Sequence, residues 1–382
     1  MLPVAYQTQG IGIGDVGIIT DYGGFDFLFN ICASHTDPIN PGDMPENFSP
    51  LNPPLGPTDI RGYSEYKSDS YIASALVGTS QHDTESTGLI FESLASEGAI
   101  LTMPRGSNSK DLGNVVRFRK YASANAEKWY KYVNEVRGRE VRNGDVRLVI
   151  GYDSSTAWGM ATFANLSEQR SFRLMFKPIG ENSLGRTYGW EYSGIADVRS
   201  GPDICEVEKL RNLDQANNHI IYENQCLFVR TLNITLQDDV WSRLAADSEM
   251  FYLDDDYETQ SPGQHSQSFV GNPNRSAGAP GVGDRGGRSS DTFMMEGLSS
   301  PAQHKSSEAV QFSHLAPALN IHPTKIINKL LLREKPNAKM AITGDGDWIS
   351  VLKQTDQALP SSEILFARII SLYDICEEDG QN

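Results

Sequence analysis

Residues 112–136 read LGNVVRFRKYASANAEKWYKYVNEV. Leu112, Val115, Phe118, Ala122, Ala126, Trp129, Val133 and Val136 recur mostly three or four apart, which puts them on one stripe of a helix. Lys110, Arg119, Lys120, Glu127, Lys128, Lys131 and Glu135 fall largely on the opposite side. Ser107 or Ser109 is the expected N-cap, Asp111 sits near the positive end of the dipole, and Gly138 is a C-cap residue. The spacing predicts one long helix over 109–136, and everything around it reads as strand.

On its C-terminal side, Asn143-Gly144 marks a turn. Four strand-like runs follow at Asp145–Tyr152, Trp158–Phe163, Ser171–Lys177 and Arg186–Tyr192. Their short, turn-rich links fit antiparallel neighbours and leave no room for parallel crossovers. Gln225–Leu236 is a further long strand, and Asp239–Ala246 a short helix. On the N-terminal side, Asp15–Thr20 and Phe25–Cys32 flank Asp21-Tyr22-Gly23-Gly24 as a hairpin. The prolines from Pro38 to Pro57 make residues 34–69 an irregular insertion. Leu89–Leu94 and Ala99–Pro104 add two strands. The expected class is α+β: a main domain over 10–250 with an antiparallel β-meander sheet packed by one long helix.

Composition changes at Asp254-Asp255-Asp256. From there to residue 308 the chain is Ser, Gly, Pro, Gln, Asn and Asp, with Phe293-Met294-Met295 as an apolar island. Such a segment buries too little apolar surface to offset its conformational entropy, so 254–308 is expected to be a disordered linker. Residues 309–379 read as a small C-terminal helix-strand-helix module. About 70 residues is marginal for an independent core, so the module is expected to dock on the main domain or on a partner.

The 382 residues carry 33 basic and 49 acidic side chains, a formal charge of −16. That balance opposes general nucleic-acid binding, which needs a Lys/Arg surplus. No apolar run is long enough to span a bilayer. Met1–Gln7 has neither a basic region nor an apolar core, so no secretory leader is expected. The four cysteines, Cys32, Cys205, Cys226 and Cys376, form no C-x-x-C pair and have no His at zinc-ligand spacing. They read as free thiols of a cytoplasmic protein, with no metal site expected.

Few motifs carry chemistry. Gly12–Gly17 and Gly281–Gly286 both match G-x-G-x-x-G, but neither stands between a strand and a helix, so no cofactor is expected. Ser107-Asn108-Ser109-Lys110 matches S-x-x-K at the expected helix start, where a Lys one turn on deprotonates a nucleophilic Ser. Its usual companion motifs are missing, and one chance match is expected in so Ser-rich a chain, so helix capping with a solvated Lys is the preferred explanation. Ser80, His82 and Asp83 are the alternative catalytic candidates for a hydrolase, though sequence neighbours rarely meet in triad geometry. Asp345-Gly346-Asp347 offers oxygen ligands but too few for a calcium loop, so Asp347 reads as a helix cap. Aromatic residues crowd the expected sheet. They are either core pairs or a binding face for sugar or peptide, and in the second case Trp158, Tyr188, Trp190 and Tyr192 are the ligand-binding candidates.

Gly14–Ile31 (GDVGIITDYGGFDFLFNI), Gly98–Pro104, Asp145–Gly159 (DVRLVIGYDSSTAWG) and the tail segments HPTKIINKLLL and AITGDGDWISV are distinctive. In these stretches the chain resembles a lineage-expanded family of uncharacterised intracellular proteins from mushroom-forming fungi. The resemblance implies an intracellular fungal protein and assigns no residue a role. Expanded families of this kind often serve recognition or self/non-self signalling. The functional expectation is a non-enzymatic recognition or adaptor protein whose partner is a protein. A Ser-based hydrolase is the alternative, and a membrane-active β-hairpin protein a third reading.

Overall fold

The structure, a computed structural model, describes residues 2–20, 23–74, 77–81, 88–164, 172–182, 185–193, 196–213, 221–247, 322–356, 358–373 and 375. The expected linker over 254–308 lies outside the described residues, as do His82, Asp83 and Cys376.

A short helix α1 (Val4–Gln9) precedes the hairpin of β1 (Asp15–Ile19) and β2 (Phe25–Asn30). Irregular chain then leads to β3 (Ile60–Tyr66), β4 (Ser70–Ala73), β5 (Val77–Gln81), β6 (Leu89–Ser93), β7 (Gly98–Met103) and β8 (Ser107–Leu112). Helix α2 (Val115–Lys131) follows, continued by a π-helical turn at Tyr132–Val136. Next come β9 (Val146–Ser155), β10 (Trp158–Phe163), β11 (Phe172–Asn182), β12 (Gly185–Ser193), β13 (Asp197–Gly201), α3 (Ile204–Leu213), β14 (Gln225–Leu236) and α4 (Asp238–Asp247). The tail supplies α5 (Pro323–Glu334), β15 (Met340–Gly344), α6 (Asp345–Ile349) and α7 (Ser362–Leu372).

The molecule is α+β, and its sheets are antiparallel. The strands expected to form one meander are divided over three sheets. A seven-stranded sheet runs β15-β14-β9-β1-β2, with β8 beside β9 and β3 beside β8. Strand β9 is long enough to serve two partners on one edge. Val146–Leu148 pair with β1, and Gly151–Ser154 with β8. The other two sheets, β13-β10-β7-β4 and β12-β11-β6-β5, enclose a second core of Leu89, Phe91, Ile100, Ala161, Phe163, Leu174 and Phe176. The Phe176 ring crosses Gly159 so closely that a Cβ there would lie 2.2 Å from it, which only glycine permits.

The middle of the helical stripe does what its spacing predicts, whereas Leu112 lies on β8 and Val136 is exposed. Phe118, Ala122, Ala126, Trp129 and Tyr130 are buried against Val146, Leu148, Leu232 and Ile234. Each such large side chain contributes about 1.5–3 kcal/mol on burial. Tyr130 keeps its polar tip satisfied, donating to Ile234 O at 2.7 Å and accepting from Gly144 N at 2.8 Å. Strand alternation turns Thr231, Asn233 and Thr235 to the opposite face. There α5 covers them, with Asn328 Nδ2 donating to Asn233 Oδ1 at 2.8 Å and to Thr235 Oγ1 at 3.1 Å.

Two expectations need correction. The helix begins at Val115 with Asn114 as its N-cap residue, and Ser107–Leu112 is strand β8 instead of helix start. The strand is held by β3 on one side and β9 on the other, so pairing overrides the weak β-propensity of SNSKDL. The irregular insertion also ends earlier than residue 69, because Ile60–Tyr66 forms β3. The tail docks: β15 extends the main sheet by pairing with Leu232–Leu236 of β14, within one compact unit.

Candidate functional site

Placing Ser107 and Lys110 on a strand removes their proposed chemistry. Three residues apart, they point to opposite faces. Ser107 is buried, whereas Lys110 is exposed with its Nζ 5.8 Å over the Tyr152 ring. Lys110 therefore does not reach the Ser107 hydroxyl. Ser80 lies on β5, but its companions His82 and Asp83 are outside the described residues. Of the aromatic candidates, Tyr188 and Trp190 pack on the second core, stacked or tilted against Phe176 at centroid distances of 5.7 and 4.8 Å. Trp190 Nε1 donates to Arg199 O at 3.0 Å. Trp158 Nε1 donates to Gln225 Oε1 at 3.0 Å, so it braces the start of β14. Tyr192 is on β12, with nothing described of its side chain.

A hydroxyl, an imidazole and a carboxylate do meet, in the tail. His322 caps α5: its Nδ1 lies 2.8 Å from Thr324 Oγ1 and accepts from Thr324 N at 3.4 Å. Its Nε2 is 3.5 Å from Asp345 Oδ1. These are the parts of a nucleophilic relay, but the surroundings withhold it. Thr324 is fully buried, and Arg147 donates to its hydroxyl at 2.9 Å. Burial first, and then the Arg147 charge, push His322 down to about 4, so it is neutral and a weak base at pH 7. Asp345 Oδ2 is committed to Thr231, accepting from its backbone N at 2.7 Å and its hydroxyl at 3.1 Å. The cluster fastens the tail to the sheet. Asp347 in turn accepts from Gly344 N at 2.7 Å and pairs with Arg119 of α2 at 2.9 Å. Among the described residues, no three His, Cys, Asp or Glu side chains converge to hold a metal ion.

A cavity of about 410 Å³ opens where α1, α3 and the start of β14 meet. Tyr6, Ile11, Phe25 and Leu210 give it apolar walls, and Arg105 and Lys209 stand in its lining. Asn224 Nδ2 donates to Gln7 O at 2.8 Å and ties α1 to the segment before β14. Cys226 also lines the cavity. Burial and the Asp153 charge push its thiol up to about 12, so it is protonated at neutral pH and is no nucleophile.

The tail helices carry several exposed apolar side chains. Leu365, Phe366 and Ile369 of α7 pack with Ile327 and Val351 in a small core. Ile364, Ile370, Leu372 and Tyr373 remain exposed beside them, Leu372 by 67%. Tyr373 Oη lies 2.9 Å from Ser350 Oγ, which sets the end of α7 beside exposed Ile349 and Leu352. Reading the sequence missed this surface, the His322 cluster and the cavity. The signal for the surface was present: SEILFARIISL is apolar on more sides than one packing face requires. The cavity gathers residues far apart in sequence, and the His322 cluster, although His322, Thr324 and Asp345 are near one another in the chain, is completed by distant Arg147 and Thr231.

No helix among the described residues is long and apolar enough to cross a membrane. No protein-family model matches the chain, and no curated protein matches it.

Proposed function

We propose that the chain is a non-enzymatic recognition or adaptor protein that docks a partner protein on the apolar surface of α6 and α7. The observation that carries this reading is the exposure of Ile349, Leu352, Ile364, Leu372 and Tyr373 on and beside α6 and α7. The nearby Arg368 is already spent on Asp356, through hydrogen bonds of 2.7 and 2.9 Å. A surface rich in apolar side chains gains free energy when covered. A second copy is a poor occupant, because each copy brings a charge of −16. The partner this surface suits is a neutral or basic protein with an apolar patch of its own. The reading places the protein in the cytoplasm, where thiols such as Cys32, Cys205 and Cys226 stay free.

The test uses the full chain and two surface variants, Ile364→Asp and Leu372→Asp. Wild type is expected to retain one neutral or basic protein in stoichiometric amount. Each variant should lose it about tenfold or more, the effect of a carboxylate buried without a partner at an interface. Melting temperatures should stay close to wild type. Equal retention by all three chains overturns the proposal.

A further inference from the structure

We propose that the cavity between α1, α3 and the start of β14 binds a small amphipathic anion, an apolar body carrying a carboxylate, sulfonate or similar head. Its volume, about 410 Å³, lies in the lower part of the range of small-ligand sites. The walls explain the apolar body. Tyr6, Ile11, Phe25 and Leu210 line it, drawn from the N-terminal segment, β2 and α3. The charges explain the head. Arg105 and Lys209 are exposed to the cavity, and neither side chain has a hydrogen bond or ion pair among the described residues. Glu206 is the one acid in that lining. This excess is local and runs against the chain as a whole, which carries 49 acidic and 33 basic residues. A cationic ligand would be repelled there, and a purely apolar one would leave both rim cations without a counter-charge.

The wall is also held in place before any ligand arrives. Gln225 Oε1 accepts from Trp158 Nε1 at 3.0 Å, and Gln225 Nε2 donates to Asn224 Oδ1 at 2.9 Å. Asn224 in turn holds α1 through Gln7 O. Trp158 is thus a positioning residue for this wall. Such bracing lowers the ordering cost of binding. The site is separate from the apolar surface of the tail helices and stands or falls independently of it.

The probe is 1-anilinonaphthalene-8-sulfonate, an aryl sulfonate whose fluorescence rises in apolar surroundings, added to the full chain. The expected result is saturable binding of one probe, displaced by decanoate and not by decyltrimethylammonium. Lys209→Glu and Arg105→Glu should each weaken binding about tenfold, the loss of one charge-assisted contact. Val207→Trp, which fills the cavity and leaves the cations in place, should abolish it. Ile364→Asp is the control, since the tail surface also attracts such probes, and it should leave this binding unchanged. Should a charge reversal unfold the chain, Lys209→Gln and Arg105→Gln replace it with the same expectation at smaller size. Binding that survives Val207→Trp and both charge changes, equal displacement by the cationic surfactant, or loss of binding in Ile364→Asp alone overturns the proposal.

Discussion

Arg230 gathers three strands. Its Nε donates to Asp111 on β8 at 2.5 Å, and its terminal nitrogens reach Asp153 on β9 at 3.0 Å and Ser109 at 2.9 Å. Gly151 leaves room for this fork, because a Cβ there would stand 2.3 Å from Asp111 Oδ1 and 2.7 Å from Arg230 Nε. Gly151→Ala is therefore expected to cost about 1–3 kcal/mol, the penalty of a broken charge-assisted set, and to lower the melting temperature. An unchanged melting curve would show the fork to be dispensable. His322 makes a pH prediction. Its ordinary value is 6.5 and its value in the fold is about 4, so between those limits the unfolded chain takes up a proton that the folded chain refuses. This contribution is full above pH 6.5 and is lost as pH falls toward 4. His322→Gln should therefore flatten the fall of melting temperature over that window; a parallel fall in both chains contradicts the prediction. Asp15 acts in the reverse sense. Burial pushes its carboxyl from 3.8 up to about 7, against the hydrogen bonds it accepts from Gly12 N and Asn30. Its contribution is full below 3.8 and lost as pH rises through 7, so Asp15→Asn should reduce any loss of stability measured between pH 4 and 8.

At the scale of elements, strong local periodicity was legible and long-range pairing was not. The β1–β2 hairpin and β14 stand where the sequence puts them, and the middle of the α2 stripe from Phe118 to Val133 is buried as its spacing marks, while its ends depart: Leu112 lies on β8 and Val136 is exposed. Strand β8 was hidden, because Ser, Asn, Lys and Asp carry no strand signal and form one only where β3 and β9 supply both edges. The division into three sheets was hidden for a related reason. Short links show that strands are antiparallel, not whether they share a sheet: β6 and β7 are neighbours in sequence yet lie in different sheets. The tail strand β15 has a consequence for truncation. A chain ended at residue 250 would strip β14 of its partner over Leu232–Leu236, and would leave Asn233 and Thr235 without Asn328. An exposed edge with buried polar groups uncovered is a strong penalty. Such a chain is expected to melt without a cooperative transition, or to aggregate. A cooperative transition at the wild-type temperature would contradict the tail's role in the sheet.

At the scale of the whole molecule, the sheet serves as a scaffold that fixes the tail helices at its edge. The His322 cluster, the Asn328 contacts and the Arg119–Asp347 pair all hold the tail in place while leaving the outer side of α6 and α7 uncovered. None of this was visible in sequence as a site, because the contacts that cross from tail to main chain, Arg119–Asp347, Arg147–Thr324 and Asn233–Asn328, join residues roughly a hundred or more positions apart. The proposed docking of a partner on that outer side has one direct test. A photo-reactive p-benzoylphenylalanine is placed at Leu372 in the full chain and, as control, at exposed Val116 on α2. Irradiation in native extract is expected to attach one neutral or basic protein at position 372 and not at 116. Cross-links only to a second copy of the chain, or the same products from both positions, would contradict it.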